Sequence, residues 1–300
     1  AEDVTTAVET ALQSGKCRPE ATEVAFFGGS FTAIDRDYMI ELLSSAQEFI
    51  GENGFKGIRI STRPDAVDGE ICDILEKYHV TAVELGAQST NDKVLAMNRR
   101  GHTREDIFRS ARLLKERGFE LGLQMMTGLY GSYDEDSIGT ARDIISLSPD
   151  TARIYPTVVI ENTELAELYR NGEYRPQTPE EAAVLCAKIL PMFERAGIKV
   201  IRLGLHSGGD VEGSFVAGAY HPALREMCEG HIYFDIINRA LSGKEKGKYI
   251  IYVAPREVSK ASGQRRCNIE KLRELGYECR IKENAALSAR DITLEKVNLL

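Results

Sequence analysis

The sequence predicts an α/β protein in which helices cover a parallel sheet and a small α+β domain follows. Five short apolar or β-branched runs recur, each followed by a helical pattern, and the runs are largely apolar on both faces, as in parallel sheets. Polar clusters follow the runs, at the edge where parallel strands end together. A doubly wound sheet and a full or partial TIM-type barrel both fit this pattern. Five polar loops on one rim favour the barrel.

The predicted strands begin with an apolar run that leads into two glycines. Four further runs of this kind follow, and IKVIRLGLHS at 198–207 has the pattern of a sixth strand. The five runs are EVAFFGG (23–29), GIRISTRP (57–64), TAVELGAQS (81–89), ELGLQMMTGL (120–129) and TARIYPTVVI (151–160).

The helices that follow these runs are predicted from apolar residues at intervals of three and four. Asp35 caps the first of them, and its apolar stripe begins with Met39 and Leu43. The helix after the third run ends at Arg117, before the helix-stopping Gly118. The helix after the fourth run covers residues 134–147.

The last sixty residues differ from the rest in composition and charge. The stretch SGKEKGK at 242–248 is rich in glycine and lysine, which is typical of a linker, and a β-α-β-β pattern follows it. Residues 1–240 contain 25 Lys and Arg against 38 Asp and Glu, whereas residues 241–300 contain 13 against 8. We therefore predict two domains, 1–241 and 248–300, the second being basic and either a nucleic-acid binder or a domain with a solvated charged surface.

The composition predicts a soluble cytoplasmic protein without a membrane partner. The chain is 43% hydrophobic and 28% charged, no apolar run is long enough for a membrane span, and the acidic N-terminal stretch lacks the basic start of a signal peptide. The six cysteines are scattered, so they show no metal-ligand spacing and no disulfide framework. The sequence does not indicate the oligomeric state.

The first polar cluster contains Gly28, Gly29 and Ser30. Two consecutive glycines let the backbone approach a ligand closely, although the same pair also serves in a tight turn without a ligand. The isolated His206 and His221 are interpreted as structural residues.

Arginines stand near the ends of two further strands. Ser61 lies beside Arg63 in STRPD, and MNRRGHT supplies Arg99, Arg100 and His102. An arginine at the mouth of a barrel can bind a carboxylate through a bidentate fork, and the alternative is a surface salt bridge. Other polar residues predicted at strand ends are Gln88, Ser89, Gln124 and Tyr155.

Several of these motifs, taken in order, resemble those of the radical S-adenosylmethionine (SAM) superfamily. They are FFGGSFT, ISTRPD, VELGAQS, NRRGHT, LQMMTGLYG, ARIYPTVVIENTELAELYRNGEY, GLH and AGAYHPALREM. The chain is similar to the radical SAM domain of the Elongator catalytic subunit and its bacterial relatives, and more distantly to anaerobic coproporphyrinogen oxidase. The resemblance covers residues 1–240 and implies a partial barrel of the radical SAM type.

The resemblance implies two cofactors, SAM and a [4Fe–4S] cluster, together with an electron donor. In the family, three thiolates of a C-x-x-x-C-x-x-C loop hold the cluster, which cleaves SAM to a 5′-deoxyadenosyl radical. This chain contains no such loop, and Cys17 has no neighbouring cysteines with which to replace it. We favour a loop and first strand upstream of residue 1, because the other SAM motifs are intact. The alternative is a relative that has lost its cluster, and in both cases the chain alone is expected to be inactive.

The resemblance implies roles for residues that match the SAM-binding motifs of the family. Gly28, Gly29 and Ser30 match the motif that meets the methionine ammonium group. Ser61 stands where relatives contact the ribose, often through a glutamate. The shorter serine hydroxyl departs from that pattern.

Four further positions carry implied roles on the same basis. Gln88 and Arg99 match positions that reach the ribose and the methionine carboxylate. Gln124 stands at a ribose position where an acidic residue is common, and Val158 would pack on the adenine. No catalytic residue and no metal ligand is assigned in this chain.

The C-terminal segment has a second resemblance. VSKASGQRRCNIEKLRELGYECRIKE is similar to the helix-loop-helix and following strand of a KH domain, with GQRR (263–266) at the G-x-x-G loop that clamps a nucleic-acid backbone. Arg266 replaces the second glycine of that loop. A small packing domain without RNA binding is the alternative.

Together the resemblances imply a radical SAM enzyme, or a fragment of one, that modifies a base of tRNA or another RNA. Elongator-like relatives modify wobble uridine. A coproporphyrinogen oxidase-like radical SAM enzyme is one alternative, and a cluster-free SAM- or RNA-binding protein is another.

Overall fold

A computed structural model of the chain describes residues 2–15, 17–52, 54–205 and 213–297. The chain divides into two compact units. The first comprises Ala1–Tyr155 and Met192–Arg202, and the second comprises Pro156–Pro191 and Leu203–Leu300. No helix within the described ranges is both long and apolar enough to cross a membrane.

The sheet of the first unit has six parallel strands that curl into a partial barrel. The strands lie side by side in chain order, and their register pairs Ile60 with Val83 and Leu85 with Leu123. A doubly wound sheet would reverse its strand order, so this order confirms the predicted partial barrel. The strands are β1 (Glu23–Phe26), β2 (Gly57–Thr62), β3 (Val80–Gln88), β4 (Glu120–Thr127), β5 (Thr151–Pro156) and β7 (Lys199–Leu203).

Helices connect the strands of the first unit, and several of them begin at side-chain caps. The Asp35 carboxylate accepts a hydrogen bond from the backbone N–H of Tyr38, as the sequence predicts, and Asp68 caps the next helix in the same way. Thr103 and Asp106 form a capping box. The helices are α1 (Glu2–Gln13), α2 (Arg36–Gln47), α3 (Gly69–Lys77), α4 (Asp92–Met97), α5 (Arg104–Glu116) and α6 (Asp134–Ser146).

The two faces of the barrel strands differ. Ile58 and Ile60 of β2 are fully buried in the core, whereas Arg59, between them, bonds to carboxylates on β1 and β4. An arginine on β2 that reaches β4 crosses over β3, which places it on the concave face of the sheet. The expectation that the strands are apolar on both faces is therefore wrong for the concave face.

The second unit contains two small sheets. In one, β6 (Val158–Ile160) pairs antiparallel with β8 (Phe215–Gly218). In the other, β9 (Gly247–Val253) is central, parallel to β10 (Tyr277–Glu283) and antiparallel to β11 (Ile292–Lys296). The helices are α7 (Glu164–Arg170), α8 (Pro179–Arg195), α9 (Leu224–Leu241), α10 (Val258–Ser262) and α11 (Cys267–Glu274), of which α8 runs across the division between the units.

The predicted β-α-β-β order after residue 247 is confirmed, and α9 completes the same module. Tyr233, Ile237 and Leu241 of α9 share one hydrophobic core with β9, β10 and the two short helices. The segment between α9 and β9 is tied to this module, because the Tyr249 hydroxyl donates to the Glu245 carbonyl. The compact units change over after Tyr155, Pro191 and Arg202, and the segment 242–248 lies within the second unit.

Two sequence expectations concern residues that precede α9. The predicted strand at 198–207 is shorter, since β7 ends at Leu203, and His206 lies outside the described residues. His221 Nδ1 accepts a hydrogen bond from the backbone N–H of Ala223, just before α9. This contact fits the structural role assigned to His221.

Candidate ligand-binding cavity

A cavity of about 330 Å³ lies at the carboxyl ends of the strands of the first unit. Residues that follow or end five successive strands line it, which is the usual position of a ligand site in a parallel α/β sheet. The lining residues are Phe27, Gly28, Gly29, Ser30, Ser61, Thr62, Arg63, Gly86, Gln88, Arg100, His102, Gln124 and Tyr155.

The glycine pair after β1 forms an open wall of this cavity. Gly28 has a φ of +102°, a left-handed conformation that side chains rarely adopt, and no atom lies within 4 Å of the position that a Cβ would occupy at Gly28 or Gly29. The Phe26 and Phe31 rings stack with centroids 4.7 Å apart and hold the turn together. The turn therefore presents bare backbone to the cavity.

The end of β2 contributes two side chains with different tasks. The buried Thr62 hydroxyl bonds to the Thr32 hydroxyl at 2.7 Å and so fastens the glycine turn to the sheet. Arg63 donates two hydrogen bonds to Asp65, which raise the pKa of the guanidinium although burial alone would lower it. Arg63 is therefore already neutralised by a carboxylate.

The end of β3 is irregular, and this irregularity places Gln88. Gln88 has a left-handed φ of +62°, next to a register shift between Gly86 and Gln88. A Cβ at Gly86 would lie only 2.6 Å from Gln88 Nε2, so the Gln88 side chain occupies the space that glycine leaves. The Gln88 amide thus packs over Gly86 at the end of β3 and forms part of the cavity lining.

Arg100 and His102 each have a buried nitrogen atom without a hydrogen-bond partner among the described residues. Arg100 donates from Nη2 to the Met126 sulfur at 3.2 Å, while its buried Nε has no hydrogen-bond partner among the described residues. Burial lowers the pKa of Arg100. His102 Nε2 lies 3.1 Å from the Ala87 carbonyl, which only accepts, so Nε2 carries a proton. The buried Nδ1 has no hydrogen-bond partner within the described ranges.

Charged side chains on the concave face lie beneath the cavity. Arg59 donates to Glu23 and Glu120, both at 2.7 Å, and Arg153 contacts both oxygens of the buried Glu84 at 2.6 and 2.7 Å. Burial alone would lower the pKa values of both arginines, and their bonds to carboxylates raise them instead. These ion pairs link β1 to β5 across the inside of the barrel.

Two aromatic residues of the cavity are arranged around Arg153. Arg153 donates from Nη1 to the Tyr155 hydroxyl at 3.3 Å, and its guanidinium lies 5.1 Å from the centroid of the Phe27 ring. Phe27 is 53% exposed, which is high for so large an apolar side chain. An exposed ring at a cavity rim is suited to stacking on a flat ligand group.

Six of the eight residues named from the sequence line the cavity together: Gly28, Gly29, Ser30, Ser61, Gln88 and Gln124. Arg99 is exposed and is not a lining residue, whereas its neighbour Arg100 is. Val158 lies on β6 of the second unit, where it pairs with Gly218. Glu84 and Arg153 were missed, although a charged residue inside an otherwise apolar strand pattern is the signal that could have identified them.

The cysteines are placed differently from a cluster site. No group of three or more His, Cys, Asp or Glu residues in the described ranges could hold a metal ion. Burial raises the pKa of Cys72 to about 11 and that of Cys186 to about 12, so both thiols are neutral at physiological pH. The described residues therefore offer no ligand set for an iron–sulfur cluster.

Two family models match the chain over most of its length. The model of the Radical SAM superfamily matches residues 3–144, and the model of the Radical_SAM C-terminal domain matches residues 149–233. The first match includes every residue that lines the cavity except Tyr155, which falls within the second.

The chain is similar to named proteins of an archaeon and of a mammal. The tRNA uridine(34) acetyltransferase of Methanocaldococcus jannaschii is 32% identical over 196 residues, which are 58% of this chain and 36% of that protein. Elongator complex protein 3 of Homo sapiens is 31% identical over 200 residues, or 58% of this chain and 35% of that protein. The chain thus spans little more than a third of the length of these relatives.

A solved structure shares the fold. The archaeal Methanocaldococcus infernus Elp3 with an N-terminus deletion (1-46) superposes with a TM-score of 0.62 at 24% identity, covering 77% of this chain and 62% of that one. The fold is therefore common to both proteins.

Proposed function

The chain belongs to the radical SAM superfamily, and from this premise we propose that its cavity binds SAM. We propose further that the whole protein is a radical SAM enzyme that modifies a base of tRNA or another RNA. The names of the similar proteins, tRNA uridine(34) acetyltransferase and Elongator complex protein 3, support this choice of substrate.

The observation that carries the proposal is the state of Arg100. Its guanidinium lines the cavity, burial lowers its pKa, and it forms no ion pair within the described part of the chain. A partly buried cation without an anion among the described residues gains a charge-assisted hydrogen bond when a ligand supplies the anion. SAM carries one carboxylate, and we assign that carboxylate to Arg100 in place of Arg99.

The glycine turn fits the other groups of the methionine moiety. Gly28 and Gly29 leave free space where side chains would stand, so ligand atoms can reach backbone oxygens of the turn. Gln88, Ser61 and Gln124 offer neutral polar groups for the ribose. The binding, orientation and burial of SAM are the tasks that we assign to this chain's own residues.

The cluster chemistry of the superfamily requires three neighbouring thiolates, which the described residues of this chain do not bring together. When bound, a [4Fe–4S] cluster supplies the electron that cleaves SAM. Because the described residues do not fit such a cluster, we expect this chain by itself to acquire none on anaerobic incubation with iron and sulfide. Visible absorption that develops in the protein fraction would contradict this expectation.

RNA binding is assigned to the basic module that contains β9, β10 and β11. Arg265 and Arg266 are exposed in the turn between α10 and α11, and both have left-handed backbone with φ of +52° and +65°. Arg280 and Lys282 are exposed on β10. Exposed cations of this kind suit a phosphate backbone.

SAM binding is tested by isothermal titration with Arg100→Met and with the matched neighbour Arg99→Met. Loss of a charge-assisted hydrogen bond corresponds to about 10-fold weaker binding or more, which we expect for Arg100→Met alone. If Arg100→Met leaves the Kd for SAM unchanged and Arg99→Met weakens SAM binding, the SAM carboxylate must be assigned to Arg99. No SAM binding by the unmodified chain would refute the proposed cofactor.

RNA binding is tested by a gel shift with tRNA at two salt concentrations. Arg266→Gly removes a charge and retains a residue that accepts the left-handed backbone, and Arg36→Gln removes an exposed arginine of the first unit, which is paired with Glu70. We expect weaker binding and a shallower salt dependence for Arg266→Gly only. Equal shifts for both variants and the unmodified protein would refute the assignment.

A further inference from the structure

The most unusual charged group beneath the cavity is the Glu84 carboxylate. It is 1% exposed, it lies in the middle of β3, and it does not itself line the cavity. Arg153 contacts both of its oxygens, and Arg59 Nη1 lies 3.6 Å from Oε1. A buried carboxylate with two guanidinium neighbours is held in one place, so a group that bonds to it is held as well.

The group held in this way is the side-chain amide of Gln124. Gln124 Nε2 donates to Glu84 Oε2 at 2.8 Å and to the Ser61 hydroxyl at 3.3 Å. A carboxylate accepts hydrogen bonds and cannot donate them, so the nitrogen and not the oxygen of the amide must face Glu84. Both N–H groups of Gln124 are then used inside the protein.

One polar atom of Gln124 is left for a ligand, the carbonyl oxygen Oε1. It makes no hydrogen bond to the described residues, and Gln124 is one of the residues that line the cavity. An oxygen that only accepts selects a ligand group that donates. The cavity lining consequently contains two unlike polar groups, a cation at Arg100 and an acceptor at Gln124.

We propose that Glu84 is a positioning residue, which fixes the Gln124 amide so that its carbonyl oxygen selects a ligand hydroxyl. This proposal rests on the proposed binding of SAM and deepens it. The SAM carboxylate belongs at Arg100, and a ribose hydroxyl belongs at Gln124. A ligand carboxylate or phosphate is disfavoured at Gln124, because its negative charge would meet the negative end of the carbonyl dipole.

The backbone beside Glu84 is adapted to this arrangement. Gly122 on β4 pairs in register with Glu84, and a Cβ at Gly122 would lie 2.8 Å from Glu84 Cγ and 3.1 Å from the Thr151 hydroxyl. A side chain at this position would displace Glu84 from its place between Arg153 and Gln124. The absence of a side chain at residue 122 is therefore part of the positioning.

The test compares adenosine with 2′-deoxyadenosine and 3′-deoxyadenosine as ligands, alongside SAM, by isothermal titration. One lost neutral hydrogen bond weakens binding about 2- to 10-fold, so we expect one of the deoxynucleosides to bind the unmodified protein that much less tightly than adenosine. Gln124→Met fills the same space without the carbonyl, and we expect it to bind all three nucleosides alike.

Two variants of Glu84 examine the positioning itself. Glu84→Gln lets the Gln124 amide turn over, and Glu84→Asp retains the anion between the arginines but withdraws its oxygens from Gln124. We expect both to lose the discrimination between adenosine and its deoxy analogue, with little change in binding of that analogue. Glu84→Asp is the variant expected to remain folded if Glu84→Gln does not.

A second measurement needs no ligand. In the unmodified protein, the Gln124 side-chain N–H signals in a ¹⁵N spectrum are expected to exchange slowly with water, and in Glu84→Asp they are expected to exchange fast. The positioning role of Glu84 would be overturned if Glu84→Asp still discriminates between adenosine and its deoxy analogue, or if the Gln124 side-chain N–H groups of the unmodified protein exchange fast. Neither result would affect the proposal that SAM binding depends on Arg100. No binding of SAM or adenosine to the unmodified protein would overturn both proposals.

Discussion

The concave face of the barrel sheet and the outer face of the three-stranded sheet show two ways of placing charges on strands. On the barrel, Glu84 is buried and enclosed by arginines. On the three-stranded sheet, Tyr249 and Ile251 point into the core, so alternation places Lys248 on the opposite face, where it meets Glu278 at 3.5 Å with both side chains about half exposed.

The difference concerns what each set of charges can do. Buried charges must be paired, and once paired they fix the geometry of neighbouring groups, as Glu84 does for Gln124. Exposed charges remain hydrated and mobile, so they contribute little to stability but are available to a polyanion. Substitutions on the two faces should therefore differ in both the size and the kind of their effects.

Removing the buried anion should have the largest effect on stability. Glu84→Leu leaves Arg153 and Arg59 beneath the cavity without their shared carboxylate, and breaking a buried pair in this way costs about 3–5 kcal/mol. Glu278→Leu breaks the exposed pair with Lys248 and should cost less than about 1 kcal/mol. Urea-induced unfolding followed by circular dichroism measures both losses in the free energy of unfolding. Equal losses would contradict the expected difference between the buried charges of the barrel and the exposed charges of the three-stranded sheet.

A side chain at Gly29 should affect ligand binding more than stability. The Cβ position is free of protein atoms, so Gly29→Val should change the free energy of unfolding little. It projects from a residue that lines the cavity, and overpacking of this kind corresponds to about 10-fold weaker SAM binding or more. Gly139→Val on α6, also open at its Cβ and away from the cavity, is the control. Equal titration curves for both variants would show that the cavity does not hold SAM.

The buried carboxylate of the second unit should give a pH-dependent effect. Burial alone would raise the pKa of Glu257, but bonds from Lys260 and the Tyr233 hydroxyl outweigh it and hold the pKa below its usual value. The ionised group therefore stabilises the unit above the ordinary glutamate pKa of about 4.3, and this stability is lost as the pH falls through the lower folded-state value. Glu257→Gln should be less stable by about 1 kcal/mol at neutral pH, and this difference should shrink in acid. Urea-induced unfolding at a series of pH values measures it, and a difference that grows in acid would contradict the sign.

The smallest expected effect is that of a single exposed cation. Lys282→Gln on β10 removes about one phosphate contact, so the slope of log K against log salt for tRNA binding should fall by about 1, without any change in SAM affinity. Arg109→Gln on α5, paired with Asp106 in the first unit, is the matched control. If Lys282→Gln and the unmodified protein have the same slope of log K against log salt, β10 is not part of the RNA-binding surface.

The barrel could be predicted from the sequence because strand and helix patterns are local. The position of the cavity followed from the polar residues after each strand. The concave face was not predicted, because apolar runs dominate the strands and the single charges of Arg59, Glu84 and Arg153 lie far apart in the sequence until the curvature of the sheet brings them together.

That Arg100, and not Arg99, lines the cavity has a different cause. Helix α4 ends at Met97, and Arg99 then takes a left-handed φ of +51°, which turns the chain between the two arginines. A periodic pattern gives no information on side-chain direction beyond such a turn. The core shared by α9 and β9 could not be predicted from the sequence either, because it depends on packing across residues 242–248.

The turn at Arg265 and Arg266 allows selection for stability to be distinguished from selection for function. Both arginines adopt backbone that glycine would adopt with about 1 kcal/mol less strain each. A library selected only for heat resistance should therefore replace these arginines by glycine or asparagine, whereas a library selected for growth that depends on the protein's activity should retain them if their charge is used. Sequencing the survivors of the two selections would reveal a function for this turn before any ligand is known.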